Sequence, residues 1–318
     1  MRIGLLEPDG FSEAARMRLG VLGPVEAFNG VDLNRFLADK EVLFVRLAYA
    51  IDKVFLSRAA SLKVLCSPTT GHTHIDAAEL GKRGIALLSL KGETAFLDGI
   101  RATPEHALGL ILALLRNYRA AFMAPGNGHW DRDRCRGEEL YRMPVGLIGF
   151  GRVGRRLASY LKALDASVGY YDPNVDVAFA EVVRYQSVSA LLAASRVVVL
   201  AASHRVGDPP IVDRDAVRLL TGKYFVNIAR GELVDEEALL EALCQGALAG
   251  CAVDVIRGET GANNGRRWVE AAAALNVLVT PHIAGATYRS MQATEEFIAE
   301  KLVAAAHAGA VGTTQEAP

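Results

Sequence analysis

Between Val145 and Pro173 the chain reads VGLIGFGRVGRRLASYLKALDASVGYYDP. An apolar run empties into three glycines, a helical pattern follows, and a second strand-like run ends on an acid. A buried strand that feeds a helix needs Gly149 to turn tightly. Gly151 lets a pyrophosphate approach the backbone, and Gly154 lets helix and strand pack closely. Val153, Leu157, Leu161 and Leu164 place one apolar stripe along the helix. Its N-terminus aims free N–H groups and a partial positive charge at the turn, with Arg152 and Val153 offering the nearest amides. Asp172 ends the second strand about 20 residues past the first glycine, where an acid accepts both ribose hydroxyls and repels a 2′-phosphate. The glycines alone are equally those of a structural turn. Strand, turn, helix and acid together predict a dinucleotide site that prefers NAD to NADP.

The same alternation runs through the chain. Before residue 100 the strand-like runs are RIGLL, VLFVRL, KVLCS and IALLSL, with a helix predicted over HIDAAELGKRG and ended at Gly84. A long helix is predicted from Pro104 to about Tyr118, then MAPGNGHWDRDRCRGEELYRM reads as an exposed arm or loop. After Pro144 come six further strand-like runs: VGLIGF, SVGYYD, RVVVLAA, KYFVNIA, GCAVDV and NVLVTP. Strands separated by helices imply parallel β-α-β units. The small, polar tail HAGAVGTTQEAP is expected to fray.

At 318 residues the chain exceeds what one hydrophobic core usually serves, so two domains are expected. Its 35 basic and 36 acidic residues balance, which argues against a nucleic-acid or membrane surface and for a small-molecule partner. Cys66, Cys135, Cys244 and Cys251 form no C-x-x-C pair, so reduced thiols and no metal are expected. The start, MRIGLLEPDGF, reads as a strand and turn rather than a signal peptide, and ALGLILALL is too short to cross a bilayer. A cytoplasmic location is the expectation.

Three further residues stand at strand ends. Arg230 follows KYFVNIA, Glu259 comes five residues after Asp254 closes GCAVDV, and His282 follows NVLVTP. Ligands in open α/β sheets bind beyond the carboxyl ends of the strands, so all three project toward one crevice. Each has a plainer reading alone: a helix-capping arginine, a solvated acid, a core histidine. Together, downstream of a nucleotide turn, they suit chemistry on a bound dinucleotide.

These motifs resemble the NAD-dependent D-2-hydroxyacid dehydrogenase family, whose members include D-3-phosphoglycerate dehydrogenase and glyoxylate/hydroxypyruvate reductase. GLIGFGRVG, VNIARGELVDEEALLEAL, GALAGCAVDV and TPHIAGAT match its motifs in order, and SPTTGHTHIDAAELGKRGIALL and ATPEHALGLILALLR resemble its substrate loop and interdomain helix. The resemblance implies that Arg230 holds the substrate carboxylate, His282 is the acid/base and Glu259 its partner. Asp254 would hold the nicotinamide end of NAD, and Ile228, Ala229 and Gly285 would complete the cofactor contacts begun by the glycine turn. Backbone amides of Thr70 and Gly71, with Arg46, would finish the carboxylate site.

The fold class so implied is α/β, two doubly wound parallel-sheet domains: a Rossmann NAD-binding domain over 101–289 and a flavodoxin-like substrate domain over 1–100, completed by 290–318. A homodimer through the cofactor domain is the family expectation, and no regulatory amino-acid site is expected. The chemistry needs these residue types in any case. Removing hydride from a secondary alcohol requires its O–H proton to leave, and an imidazole suits that step. A guanidinium fork matches the planar double acceptor of a 2-keto acid.

The chain departs from the family pattern at Thr260, where proline usually follows the acid, and at AASHRVGDPP over 201–210, which replaces a His-x-Pro segment expected along the cofactor. GHTHID replaces a usual Asp-Asn pair. His72-x-His74 there also admits a zinc reading, which would need a third histidine and an acid at other strand ends. An NADH-sensing or corepressor-like protein of the same fold is the second alternative. Lys91 and Glu93 are either surface charges or line the site, where Lys91 or Arg46 would meet a second anionic group on the substrate.

Overall fold

Strands that are apolar on both faces must be covered on both faces. The computed structural model, which describes residues 1–175, 179, 181–259 and 265–309, meets that demand in two units, Met1–Ile100 with Ala286–Pro318, and Arg101–Gly285.

In the first unit β1 (Ile3–Leu5), β2 (Val25–Ala27), β3 (Val42–Phe44), β4 (Val64–Ser67) and β5 (Ala86–Ser89) form a parallel sheet ordered β2-β1-β3-β4-β5. That is the flavodoxin-like order. Period-two alternation divides its side chains. Leu43, Val45 and Leu65 pack with Phe36, Phe55 and Leu80. Val42, Phe44, Val64 and Cys66 pack with Leu19 and with Ile298, Ala299 and Leu302 of the Tyr288–His307 helix. The last described helix therefore covers the sheet made by the first hundred residues.

The second unit carries β6 (Pro144–Ile148), β7 (Ser167–Tyr171), β8 (Val183–Arg184), β9 (Val197–Leu200), β10 (Tyr224–Asn227), β11 (Gly250–Val253) and β12 (Val277–Val279). All pair in parallel, in the order β12-β11-β10-β9-β6-β7-β8. The six strands expected from the sequence are joined at one edge by the two-residue β8. Strand order reverses between β6 and β9, the switch point at which such sheets bind ligands. Val197 and Val199 face the Ala102–Leu115 and Arg152–Ala163 helices, whereas Val198 and Leu200 face Leu191, Leu192 and Leu239.

Two local expectations change. The helix predicted to reach Tyr118 stops at Leu115, Asn117 takes a left-handed φ of +49°, and a second helix, Tyr118–Gly126, opens the segment read as an arm. The stripe assigned to Val153, Leu157, Leu161 and Leu164 ends early: the helix closes at Ala163, Leu164 is exposed, and Gly154 and Ala158 complete the buried face. Among the described residues no single helix is long and apolar enough to cross a membrane. Thr260 and the chain after Gly309 lie outside the described residues.

Candidate active site

The glycine turn is built as its spacing requires. Gly149 has φ +97°, and a Cβ on it would meet the backbone of Ala202 at 2.7 Å. A Cβ on Gly154 would lie 2.3 Å from the Gly149 carbonyl oxygen, so any side chain there would separate helix from strand. Gly151 differs: a Cβ would meet nothing within 4 Å. It caps the Arg152–Ala163 helix with no side-chain hydrogen bond. Open space in front of an uncapped helix N-terminus is what a pyrophosphate needs, so the turn fits NAD. Asp172 sits beside it, its carboxylate accepting from the Phe150 amide at 2.8 Å and the Asn174 amide at 2.9 Å. Phe150 is locked in turn by stacking on Tyr170, with ring centroids 3.8 Å apart. The unusual 201–210 segment leaves from this turn at Ala202 and then folds on itself, Arg205 and Asp208 exchanging two hydrogen bonds.

This geometry separates a phosphate site from a structural turn. Gly151→Val is expected to raise the NADH dissociation constant at least about tenfold, a loss near 1.4 kcal/mol. The melting temperature should hold, because the added carbons enter open space and the backbone angles there, φ −74° and ψ −158°, admit a β-branched residue. Fluorescence titration and a thermal melt read both. Unchanged NADH affinity would remove phosphate from the turn.

Arg230 follows β10 on a loop shaped by a residue the sequence reading missed. Asn227, buried, accepts from the Ala229 amide at 3.0 Å and donates to the Arg230 carbonyl at 3.1 Å, clamping Ile228, Ala229 and Arg230 into an extended exit. Both Ile228 and Ala229 are buried. The guanidinium is anchored at NH1 by the Ala229 carbonyl, 2.6 Å away. Burial lowers its pKa from the ordinary value, against the opposing fields of Glu259, Glu232 and Asp254. A Cβ on Gly231 would lie 2.1 Å from the Arg257 nitrogen, so the Arg230 loop and the loop leading to Glu259 touch backbone to backbone.

His282 lies three residues beyond β12, where Nδ1 meets Glu259 Oε1 at 2.6 Å. Its backbone is left-handed, φ +53°. Asp254, 1% exposed, organises this loop. Its carbonyl accepts from the His282 amide at 2.8 Å, and its carboxylate accepts from the Ile283 amide at 2.8 Å, the Ala284 amide at 2.9 Å and the Thr280 hydroxyl at 2.6 Å. Burial works to raise the Asp254 pKa, but donation from His106, Thr280 and the two amides outweighs it and holds the carboxyl below the usual range. The carboxylate that the family resemblance aims at nicotinamide is thus turned onto its own protein. Arg230, Glu259 and His282 converge on one edge of the second unit's sheet, and exposed Gly285 ends that unit.

The remaining candidates belong to the first unit. Arg46 ends the run that contains β3, and its Nε donates to buried Glu295 at 2.9 Å while NH1 reaches the Asp9 carbonyl at 2.9 Å. A guanidinium so engaged ties the Tyr288–His307 helix to the sheet. Thr70 is exposed and Gly71 half-buried after β4, with the Thr69 hydroxyl donating to the Gly71 carbonyl at 3.1 Å. Glu93 pairs with Lys301 and Lys91 is exposed. Among the described residues no three His, Cys, Asp or Glu side chains are grouped to hold a metal ion.

Comparison with known proteins identifies the family and the fold. Residues 108–284 match the family model described as D-isomer specific 2-hydroxyacid dehydrogenase, NAD binding domain. The chain is 29% identical to the D-3-phosphoglycerate dehydrogenase of Methanocaldococcus jannaschii over 94% of its own length, spanning 57% of that protein. It is 31% identical to the glyoxylate reductase of Thermofilum pendens, covering 86% of this chain and 80% of the relative. Among solved structures, the D-lactate dehydrogenase of Aquifex aeolicus complexed with NAD and lactic acid superposes with a TM-score of 0.82 at 25% identity, covering 98% of this chain and 96% of that one.

Proposed function

The chain belongs to the D-isomer specific 2-hydroxyacid dehydrogenase family and carries its NAD-binding domain, and on that premise we propose that it interconverts a D-2-hydroxy acid and its 2-keto acid, with His282 as acid/base, Glu259 as its partner and Arg230 on the substrate carboxylate. Bound NAD supplies the hydride acceptor for oxidation and, in its reduced form, the donor for the reverse reaction. The glycine turn from Gly149 to Gly154 would hold its pyrophosphate and Asp172 its ribose.

The protein's own part is proton movement and orientation. His282 donates its Nδ1 proton to Glu259, which fixes the tautomer and leaves Nε2 to take the hydroxyl proton in oxidation. In reduction the imidazolium, stabilised by the same carboxylate, returns that proton to the developing alkoxide. Arg230 would hold the carboxylate and polarise the adjacent carbonyl through its two-pronged donor face. Thr70 and Gly71 are proposed as substrate contacts through their backbone N–H groups.

The observation that carries the reading is the 2.6 Å contact between His282 and Glu259, within electrostatic reach of the half-buried Arg230. The deciding experiment follows NADH oxidation across a panel of 2-keto acids: hydroxypyruvate, glyoxylate, pyruvate and phosphorylated sugar-acid analogues. Turnover of at least one, with NADH preferred to NADPH, is expected. Tight NADH binding without turnover of any would replace this reading with that of an NADH sensor. The proposal extends to a homodimeric, cytoplasmic protein acting on a small-molecule acid.

A further inference from the structure

The Ala102–Leu115 helix is an apolar core element with one polar side chain directed at the loop of His282. His106 Nε2 lies 3.2 Å from Thr280 Oγ1 and 3.4 Å from Asp254 Oδ1. The Thr280 hydroxyl has a single proton, and it is committed to Asp254 Oδ1 at 2.6 Å. Thr280 Oγ1 can therefore only accept from His106, which assigns the His106 ring proton to Nε2.

The chain of donors then runs in one direction, from His106 to Thr280 to Asp254. Asp254 in turn receives the amides of Ile283 and Ala284, and its carbonyl receives that of His282. The residue so bracketed is the one whose backbone is left-handed. The conformation is uncommon outside glycine, histidine adopts it more readily than most residues, and the hydrogen bonds on either side of it here select it.

We propose that His106 is a positioning residue for His282, acting through Thr280 and Asp254 to fix the left-handed turn that aims the imidazole. The inference rests on the reading of His282 as the acid/base. His106 and Thr280 meet Asp254 at Oδ1, the oxygen that also receives the Ile283 amide, while Oδ2 receives the Ala284 amide, so one carboxylate ties the His106 side chain to the loop backbone. Without it Thr280 can rotate away, Asp254 loses two donors, and the His282 ring swings relative to Glu259. Catalysis is sensitive to this because a displacement of about 1 Å at the reacting group costs on the order of a hundredfold in rate.

The test uses the full chain with NADH and whichever 2-keto acid it reduces best. His106→Leu should lower kcat at least about tenfold while KM and the NADH dissociation constant stay within about twofold, the split expected when only the transition state is affected. His106→Gln, which restores a donor, should recover most of that loss. Thr280→Val should reproduce the His106→Leu defect and Thr280→Ser should not. The double variant His106→Leu/Thr280→Val should lose no more than the worse single variant, since both break one chain.

Should His106→Leu fail to fold, the Thr280 pair carries the same comparison. An unchanged kcat in His106→Leu or Thr280→Val, beside a His282→Ala protein that has lost turnover, would overturn this inference and leave the catalytic reading standing. Equal losses in His106→Leu and His106→Gln, accompanied by lowered melting temperatures, would make His106 merely structural and overturn it too. Retained turnover in His282→Ala would instead remove the premise.

Discussion

His282→Ala is expected to lower turnover at least about a hundredfold, because positioned proton transfer contributes roughly 10²–10⁴-fold. The NADH dissociation constant should hardly change. The imidazole lies at the end of the β12 loop and the glycine turn at the end of β6, and among the described residues no hydrogen bond links the turn to His282. The left-handed backbone adds a control. Alanine lacks histidine's relative tolerance of φ +53°, so this variant adds strain to the loop as well as removing the imidazole. His282→Asn, a residue that tolerates that backbone, removes the acid/base function with less strain on the loop. Equal losses in both variants assign the effect to the imidazole. Turnover retained in either would take His282 out of the mechanism. The Glu259 contact supplies the graded comparison: Glu259→Gln keeps a hydrogen-bonding group near Nδ1 but withdraws the negative charge that stabilises the imidazolium. Its effect should fall between those of the native chain and His282→Ala.

The residues legible in the sequence are those whose partners are near them in the chain. Gly149, Gly151 and Gly154 announce a turn because their spacing records how one strand meets one helix. The runs that became β9, β10 and β11 were visible because a strand buried on both faces has to be apolar throughout. Two strands gave no such sign. Val25–Ala27 and Val183–Arg184 lie at sheet edges, with half-exposed side chains and only two or three residues each, so neither needs an apolar run. Leu164 was drawn into the helix stripe because periodicity does not mark where a helix stops. The polar supports were the least visible. Asn227 sits in an apolar run as one more strand residue, and His106 sits in an apolar helix 148 residues before Asp254, whose carboxylate it meets. What each does is decided by side chains that the fold, not the local sequence, brings to it.

Arg230→Lys is expected to lower kcat/KM for the 2-keto acid on the order of a hundredfold, and Arg230→Ala about a thousandfold, which at 1.36 kcal/mol per decade is roughly 2.7 and 4.1 kcal/mol. Two physical differences separate lysine from arginine. The ammonium offers no planar fork, so it cannot meet a carboxylate oxygen and the keto oxygen with parallel hydrogen bonds. It also starts from a lower pKa. Burial already lowers the Arg230 pKa, and a guanidinium, which begins far above the physiological range, remains cationic under that pressure, whereas an ammonium that begins near 10.4 has far less reserve. The sign follows directly: a cation whose pKa is depressed is charged below that pKa and neutral above it. The Arg230→Lys protein should therefore be most deficient at alkaline pH and recover part of its activity, relative to the native protein, as pH falls. Geometry alone predicts a deficit that is flat with pH. The ratio of kcat/KM between the two proteins, followed from neutral to alkaline pH, separates the contributions, and a lysine variant matching the native chain throughout would free Arg230 from the carboxylate. Because the Arg230 loop presses backbone to backbone on Arg257 at Gly231, the variants leave that contact in place, and NADH affinity should remain within about twofold if only substrate orientation has been lost.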